Sequence, residues 1–264
     1  DGTAPDVEYA FLMANKLGLK HIIHIFNEDE LYDAITMVVK TMKSFDPMEI
    51  RNSVAIYVGL KTAKENGIGT VMTGDGCDEL FAGYSFLFGL EKEKLDLELK
   101  KLWSVMTFSS VPLAKVLGIE AGLPYLYPGF KAFAMNLDSQ YKVHPERGQA
   151  YGKWVLRKAF DGILPREIVW RVKTPIEYGS GTTILPNLFN QRISDSEFDN
   201  KTRRYLAKDR VVIHDKEQLF YYEVYRSIIG VPHPTDKEGK ICPQCNSSIP
   251  EKATYCRTCG AYPI

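Results

Sequence analysis

Hydrophobic spacing in the first eighty residues switches between helical and extended. Pro5 to Leu17 predicts a helix, with proline in its first turn and Gly18 as its stop. Lys20 to Phe26, with Ile22, Ile23 and Ile25, predicts a strand. Asn27 followed by Glu30 predicts a capping box that opens a helix through about Met42. Within that helix Leu31, Ile35, Val38, Val39 and Met42 keep one face apolar. A further helix, from about Met48 to Asn66, ends at Gly67 and feeds the short apolar run Gly69–Met72. Helix–strand alternation of this kind predicts a parallel sheet, hence an α/β fold. After Tyr84 the strand signals fade, and Gly or Pro repeatedly interrupts helical segments up to about Ile229. Four regions follow: an α/β core over 1–95, a mostly helical subdomain over 96–230, a polar linker over 231–239, and a cysteine-bearing tail over 240–264.

Directly after the predicted strand comes Thr73-Gly74-Asp75-Gly76-Cys77-Asp78-Glu79, followed by Leu80-Phe81-Ala82-Gly83-Tyr84. Glycines at the carboxyl end of a strand bring backbone N–H groups towards a ligand, and crowded carboxylates call for a cation. Together they fit a magnesium-bearing phosphate; an acidic loop that merely caps the next helix is the plain alternative.

The same stretch resembles the S-G-E-G-S-D-E-x-F-G-G-Y signature of the asparagine synthetase synthase domain. Three further blocks follow that family's order. Asp46 to Ser53 resembles D-x-x-x-I-R-x-S, Gly118 to Leu126 resembles G-V-E-A-R-V-P-F-L-D, and Leu164 to Lys173 resembles L-P-x-x-V-x-x-R-x-K. The resemblance covers roughly residues 1 to 190. It implies the parallel sheet of the ATP pyrophosphatase type and an enzyme that adenylates a carboxylate with ATP and Mg²⁺, then forms an amide with ammonia. By it, Asp78 is a Mg²⁺ ligand, Asp75 takes the place of a catalytic glutamate, and Lys173 meets the pyrophosphate. Thr73, Gly74 and Gly76 belong to the nucleotide loop. Aspartate is the expected substrate, with ammonia supplied free or by a glutaminase domain or subunit in trans.

The family's pyrophosphate loop, S-G-G-x-D-S, and two strands would precede Asp1, and Asp1-Gly2-Thr3 reads as the loop after one of them. The expectation is a piece of a larger protein, inactive by itself. Two departures bear on the acyl substrate: Gly122 stands where the family has arginine, and Tyr127 where it has aspartate. Asp75 is one methylene shorter than glutamate. Arg51 is a candidate partner for a substrate carboxylate, with a surface ion pair as the alternative.

Composition narrows the classes. Over 264 residues Lys plus Arg equals Asp plus Glu, so no basic field favours nucleic acid. No apolar run approaches the roughly 20 residues that span a bilayer, which points to a cytoplasmic protein without membrane contact. A homodimer is compatible with this.

The tail carries Cys242-Pro-Gln-Cys245 and Cys256-Arg-Thr-Cys259. Two such thiolate pairs predict a closed tetrahedral Zn²⁺ site of zinc-ribbon type, with disulfides or a redox pair as the alternatives. Such a tail would fold mainly on metal, coupled weakly to the rest through the linker. Cys77 reads as a packing residue, with a reactive thiol beside the helix N-terminus as the alternative. Two other functions stay open: an ATP pyrophosphatase that adenylates tRNA for base modification, since some of these carry zinc ribbons, and a degenerate scaffold without catalysis.

Overall fold

The computed structural model describes residues 4–146, 148–235 and 239–264. The loop expected at Asp1–Thr3 and part of the expected linker, residues 236–238, lie outside them. Helix α1 spans Asp6–Leu17, α2 Glu28–Met42 and α3 Pro47–Glu65; strand β1 spans Thr70–Met72 and the short helix α4 Cys77–Leu80. Then come α5 (Lys92–Val105), α6 (Ser110–Leu117), β2 (Glu120–Gly122), α7 (Pro128–Asn136), β3 (His144–Glu146) and β4 (Gln149–Tyr151). The chain continues through α8 (Trp154–Phe160), α9 (Arg166–Val169), α10 (Ile176–Ser180), α11 (Leu185–Arg192), α12 (Asp195–Asp209) and α13 (Lys216–Ile228). It ends on β5 (Lys240–Ile241) and β6 (Ser248–Ile249).

The expected capping box forms: Asn27 Oδ1 accepts from the Glu30 N–H and the Glu30 carboxylate accepts from the Asn27 N–H, both at 3.0 Å. Leu31, Ile35, Val38 and Val39 are buried, as their spacing predicts. The strand expected over Lys20–Phe26 does not form. No described segment pairs with it, and Ile25 stays 89% exposed. Without a hydrogen-bonded neighbour an extended apolar run is not a strand. Sequence reading also missed the β3–β4 hairpin, whose register pairs His144 with Tyr151.

Two compact units result. One is built from Ile23–Thr62 and Ile176–Ile264, the other from Asp6–Ile22 and Ala63–Pro175. In the first, α2 and α13 pack through Tyr32 and Phe220, and Phe45 sits edge-on to both Tyr222 and Tyr225 at about 5 Å. The second holds the small parallel sheet, in which Thr70, Val71 and Met72 pair with Glu120, Ala121 and Gly122. Its core gathers Leu80, Phe81 and Ala134 in one cluster and Ala82, Leu87, Leu95 and Leu99 in another.

Candidate functional site

The site belongs wholly to the second unit and begins where β1 ends. Thr73 N–H continues the sheet by donating to the Gly122 carbonyl at 2.9 Å, so its amide is already engaged. The chain then turns at Gly76, whose φ of +86° is left-handed and favours glycine. The turn leads into α4, where Leu80 and the following Phe81 anchor the loop in the core.

The three carboxylates of the loop take separate partners. Asp75 Oδ2 accepts from the Thr73 hydroxyl at 2.9 Å and from the Ser110 hydroxyl at the start of α6. Glu79 accepts from the Tyr84 hydroxyl, while its backbone carbonyl accepts from Trp103 Nε1 at 3.0 Å. Burial, and then that bond to Glu79, push the Tyr84 phenol far above its ordinary range. Asp78 faces two cations: Lys153 Nζ lies 2.9 Å from Oδ1 and Lys173 Nζ 3.8 Å from Oδ2. The Lys153 ammonium is poorly aligned for hydrogen bonding, so Oδ1 is buried beside a charge with no aligned donor. Lys173 also stands 5.2 Å above the Tyr84 ring.

Gly83 makes this arrangement sterically feasible. A Cβ there would overlap Asp78 Oδ1 and stand 2.6 Å from both the Asp78 carboxyl carbon and Lys153 Cε. Lys153 is placed by the backbone, since its N–H donates to the Phe81 carbonyl at 2.8 Å. Sequence reading missed both Lys153 and Ser110. Only the fold brings them to the loop, from 75 and 35 residues downstream of their partners.

Of the residues singled out in the sequence, Thr73, Gly74, Asp75, Gly76, Asp78 and Lys173 fall in this one site. Gly122 lies in the neighbouring strand, and the Tyr127 hydroxyl is 3.6 Å from where a Cβ on Gly122 would stand. Arg51 belongs to the other unit, where Glu177 takes its Nε at 2.9 Å and Glu217 its Nη1 at 3.1 Å. An ion pair is seen, but a partly buried one rather than the surface pair expected, since the Glu217 side chain is 3% exposed.

The four tail cysteines form a second constellation. Their sulfurs all lie within 4.8 Å of one another and all four residues are buried. The Cys242–Cys259 and Cys245–Cys256 sulfurs are 3.7 Å apart, far beyond the roughly 2.05 Å of a disulfide, and every cysteine is a free thiol. Hydrogen bonds from Cys245 and Cys259 hold Cys256 well below its ordinary range, while the bond to Cys256 pushes Cys245 up to about 12. One thiolate is thus favoured at its neighbours' expense. A divalent cation would let all four ionise, so the donor set fits a zinc ion.

The tail is clasped by the rest of its unit. Phe45 N–H donates to the Thr258 carbonyl at 2.7 Å, Ser44 Oγ to the Arg257 carbonyl at 2.8 Å, and Gln218 Nε2 to the Cys259 carbonyl at 2.8 Å. Val212 N–H donates to the Gln244 carbonyl at 2.8 Å, and Tyr255 donates to Asp46. The expectation of a weakly coupled tail is overturned. Sequence separation concealed contacts between residues some two hundred positions apart.

Fold and site together define an α/β protein whose Gly-carboxylate loop faces two lysines at the end of a parallel strand. The asparagine synthase family profile matches residues 1–117 and 112–232. Asparagine synthetase B (glutamine-hydrolyzing) of Escherichia coli strain K12 is 29% identical over 238 residues, covering 87% of this chain and 42% of that protein. A probable asparagine synthetase (glutamine-hydrolyzing) of Dictyostelium discoideum is 29% identical over 241 residues, covering 85% and 43%. The Sandersonia aurantiaca asparagine synthetase (glutamine-hydrolyzing) is 31% identical over 195 residues, covering 70% and 37%. The chain belongs to the asparagine synthase family. It spans about two-fifths of the length of the curated relatives it matches.

Proposed function

We propose that this chain is the ATP-using part of an amide-forming ligase, which adenylates a carboxylate and releases AMP and pyrophosphate. The observation that carries the reading is Asp78 between Lys153 and Lys173 beside a glycine turn. The carboxylate offsets one of the two ammonium charges, so the cluster keeps a net positive charge that suits an incoming phosphate. An entering Mg·ATP would exchange these partners: the lysines turn to phosphate oxygens, and Asp78, with its undonated Oδ1, turns to the metal. Mg²⁺ there would screen the charge of the triphosphate. Lys173 then meets the charge that builds on departing pyrophosphate, a stabilisation larger in the transition state than in the ground state. Asp75, which accepts from Thr73 and Ser110, would orient or deprotonate a reacting group. Gly74 and Gly76 keep the loop's backbone open to the nucleotide.

Aspartate is the proposed substrate, with ammonia or a glutaminase as nitrogen source, in keeping with the names of the relatives. For the tail we propose one structural Zn²⁺ held by Cys242, Cys245, Cys256 and Cys259. Four sulfurs close its shell and leave no open position for catalysis.

The test is ATP–pyrophosphate exchange by the full-length protein carrying this chain. Lys173→Ala is expected to cut exchange by about 2–4 kcal/mol of transition-state stabilisation, while Mg·ATP binding falls much less. Exchange at the wild-type rate sinks the assignment. Asp78→Ala is expected to weaken Mg·ATP binding in calorimetry, and unchanged affinity removes Asp78 from the metal site.

A further inference from the structure

A cleft of about 300 Å³ opens between α5 and the segment that follows α7. It lies in the second unit but outside the loop described above. Three lysines and two aspartates line it: Lys92, Lys100, Lys142, Asp96 and Asp138. Lys92 engages both aspartates, Asp138 at 2.9 Å and Asp96 at 3.5 Å. Two cations remain. Lys100 is exposed at the rim. Lys142 is 1% exposed, with its Nζ 4.6 Å above the centre of the Trp103 ring, and no described residue gives that ammonium a hydrogen bond or an ion pair.

We propose that this cleft binds a small anion, whose carboxylate or phosphate group pairs with Lys142 and whose outer edge meets Lys100.

An ammonium on a side chain buried this deeply meets water only through the cleft, and the Trp103 face beneath it offsets part of the lost hydration. Burial accordingly holds the Lys142 amine down at about 8; Asp96 and Asp138 act to raise it and Lys92 to lower it. Near neutral pH the group is still mostly charged, so the cleft, with three lysines to two aspartates, presents an ammonium that no described carboxylate pairs with. The volume sits at the small end of ligand pockets, which suits a compact metabolite. The Trp103 face and Leu137 supply an apolar wall for its body. The lysine cannot withdraw easily. Its N–H donates to the Ser139 carbonyl at 2.9 Å, and its carbonyl accepts from the Trp154 N–H at 3.1 Å, so the backbone is fixed on both sides. The inference does not depend on the adenylation reading.

The experiment is NMR of the protein carrying ¹³Cε-labelled lysine, titrated with acetate and, separately, with inorganic phosphate. The Lys142 resonance is expected to shift with added anion, and its titration midpoint to rise, because a bound anion favours the charged form. A response to acetate alone assigns a carboxylate ligand, and a response to phosphate alone a phosphate ligand. Lys142→Met is expected to weaken binding at least tenfold. Lys173→Ala leaves it unchanged, which separates this cleft from phosphate binding at the nucleotide loop. Should Lys142→Met fail to fold, Lys100→Met at the rim is expected to weaken the same shift severalfold. A Lys142 resonance that neither anion moves at tens of millimolar overturns the proposal, as does equal affinity in the Lys100 variant.

Discussion

At the residue scale, the loop after β1 divides its negative charges among different partners: hydroxyls for Asp75, cations for Asp78, a phenol for Glu79. The hydroxyl pair at Asp75 answers its shortness. A side chain one methylene shorter than glutamate has less reach, and two donors fix what reach it has. Ser110→Ala is therefore expected to slow pyrophosphate exchange about tenfold, the net worth of one strong hydrogen bond, with little change in ATP affinity. A fall in affinity with an unchanged rate would show that Ser110 shapes the nucleotide pocket instead. Gly83→Ala acts on Asp78, because the added methyl displaces either the carboxylate or Lys153. Its expected cost is about 1–3 kcal/mol of stability together with loss of Mg·ATP binding, read by thermal melts and calorimetry. Retained binding would mean that the loop adjusts around the methyl.

At the scale of elements, one contact set links the cysteine tail to helix starts. Asp46 accepts from Tyr255 of the tail and from the Met48 N–H at the start of α3, and Gln218 on α13 holds the Cys259 carbonyl. Loss of the proposed zinc ion should therefore spread into α3 and α13 rather than stop at residue 240. Hydrogen exchange after chelation is expected to show deprotection at 44–50 and 216–222 as well as in the tail; deprotection confined to 240–264 would contradict it. The same unit carries a pH signature. Burial raises the Glu217 carboxyl from 4.5 to about 7, although Arg51 and the Tyr221 hydroxyl oppose this, while Asp215 and Glu177 reinforce it. Below pH 4.5 the folded and unfolded chains both keep this proton. Between 4.5 and about 7 only the folded chain does, so stability falls as pH rises through that window, by a few kcal/mol at most. Glu217→Gln is expected to flatten that slope in urea titrations at successive pH values, and an unaltered slope would assign it to other groups.

These elements also show what a sequence discloses. The capping box at Asn27 and the turn at Gly76 were legible because local chemistry decides both. Lys173 was legible only through a family motif, since a lone lysine carries no local signal. Lys153, Ser110 and the clasp at Phe45 are tertiary, and nothing near them in the chain announces their partners. The strand expected at Lys20–Phe26 failed for the converse reason: its spacing is right, but no described strand pairs with it.

At the scale of the whole molecule, the proposed adenylation turns on which acid the pocket admits. The chain spans about two-fifths of the length of relatives named asparagine synthetases. Within the chain, the two substitutions that bear on substrate are neighbours. Gly122 pairs with Met72 in the parallel sheet, and the Tyr127 hydroxyl approaches the space that an arginine side chain at 122 would enter. A guanidinium binds a carboxylate through two charge-assisted hydrogen bonds, whereas a phenol offers one neutral donor. Arg51 does not supply the missing charge, because Glu177 and Glu217 already hold it. On the proposed function, this exchange would weaken the hold on the second carboxylate of aspartate. In a pyrophosphate-release assay with ammonia and a panel of amino acids and simple carboxylates, weak discrimination in favour of aspartate is expected. Gly122→Arg combined with Tyr127→Asp is expected to raise that discrimination by about tenfold or more, the value of one recovered charged pair. Selective aspartate turnover by the unaltered protein would show that other groups recognise the second carboxylate, and activity that appears only with tRNA would move the substrate to a nucleic acid.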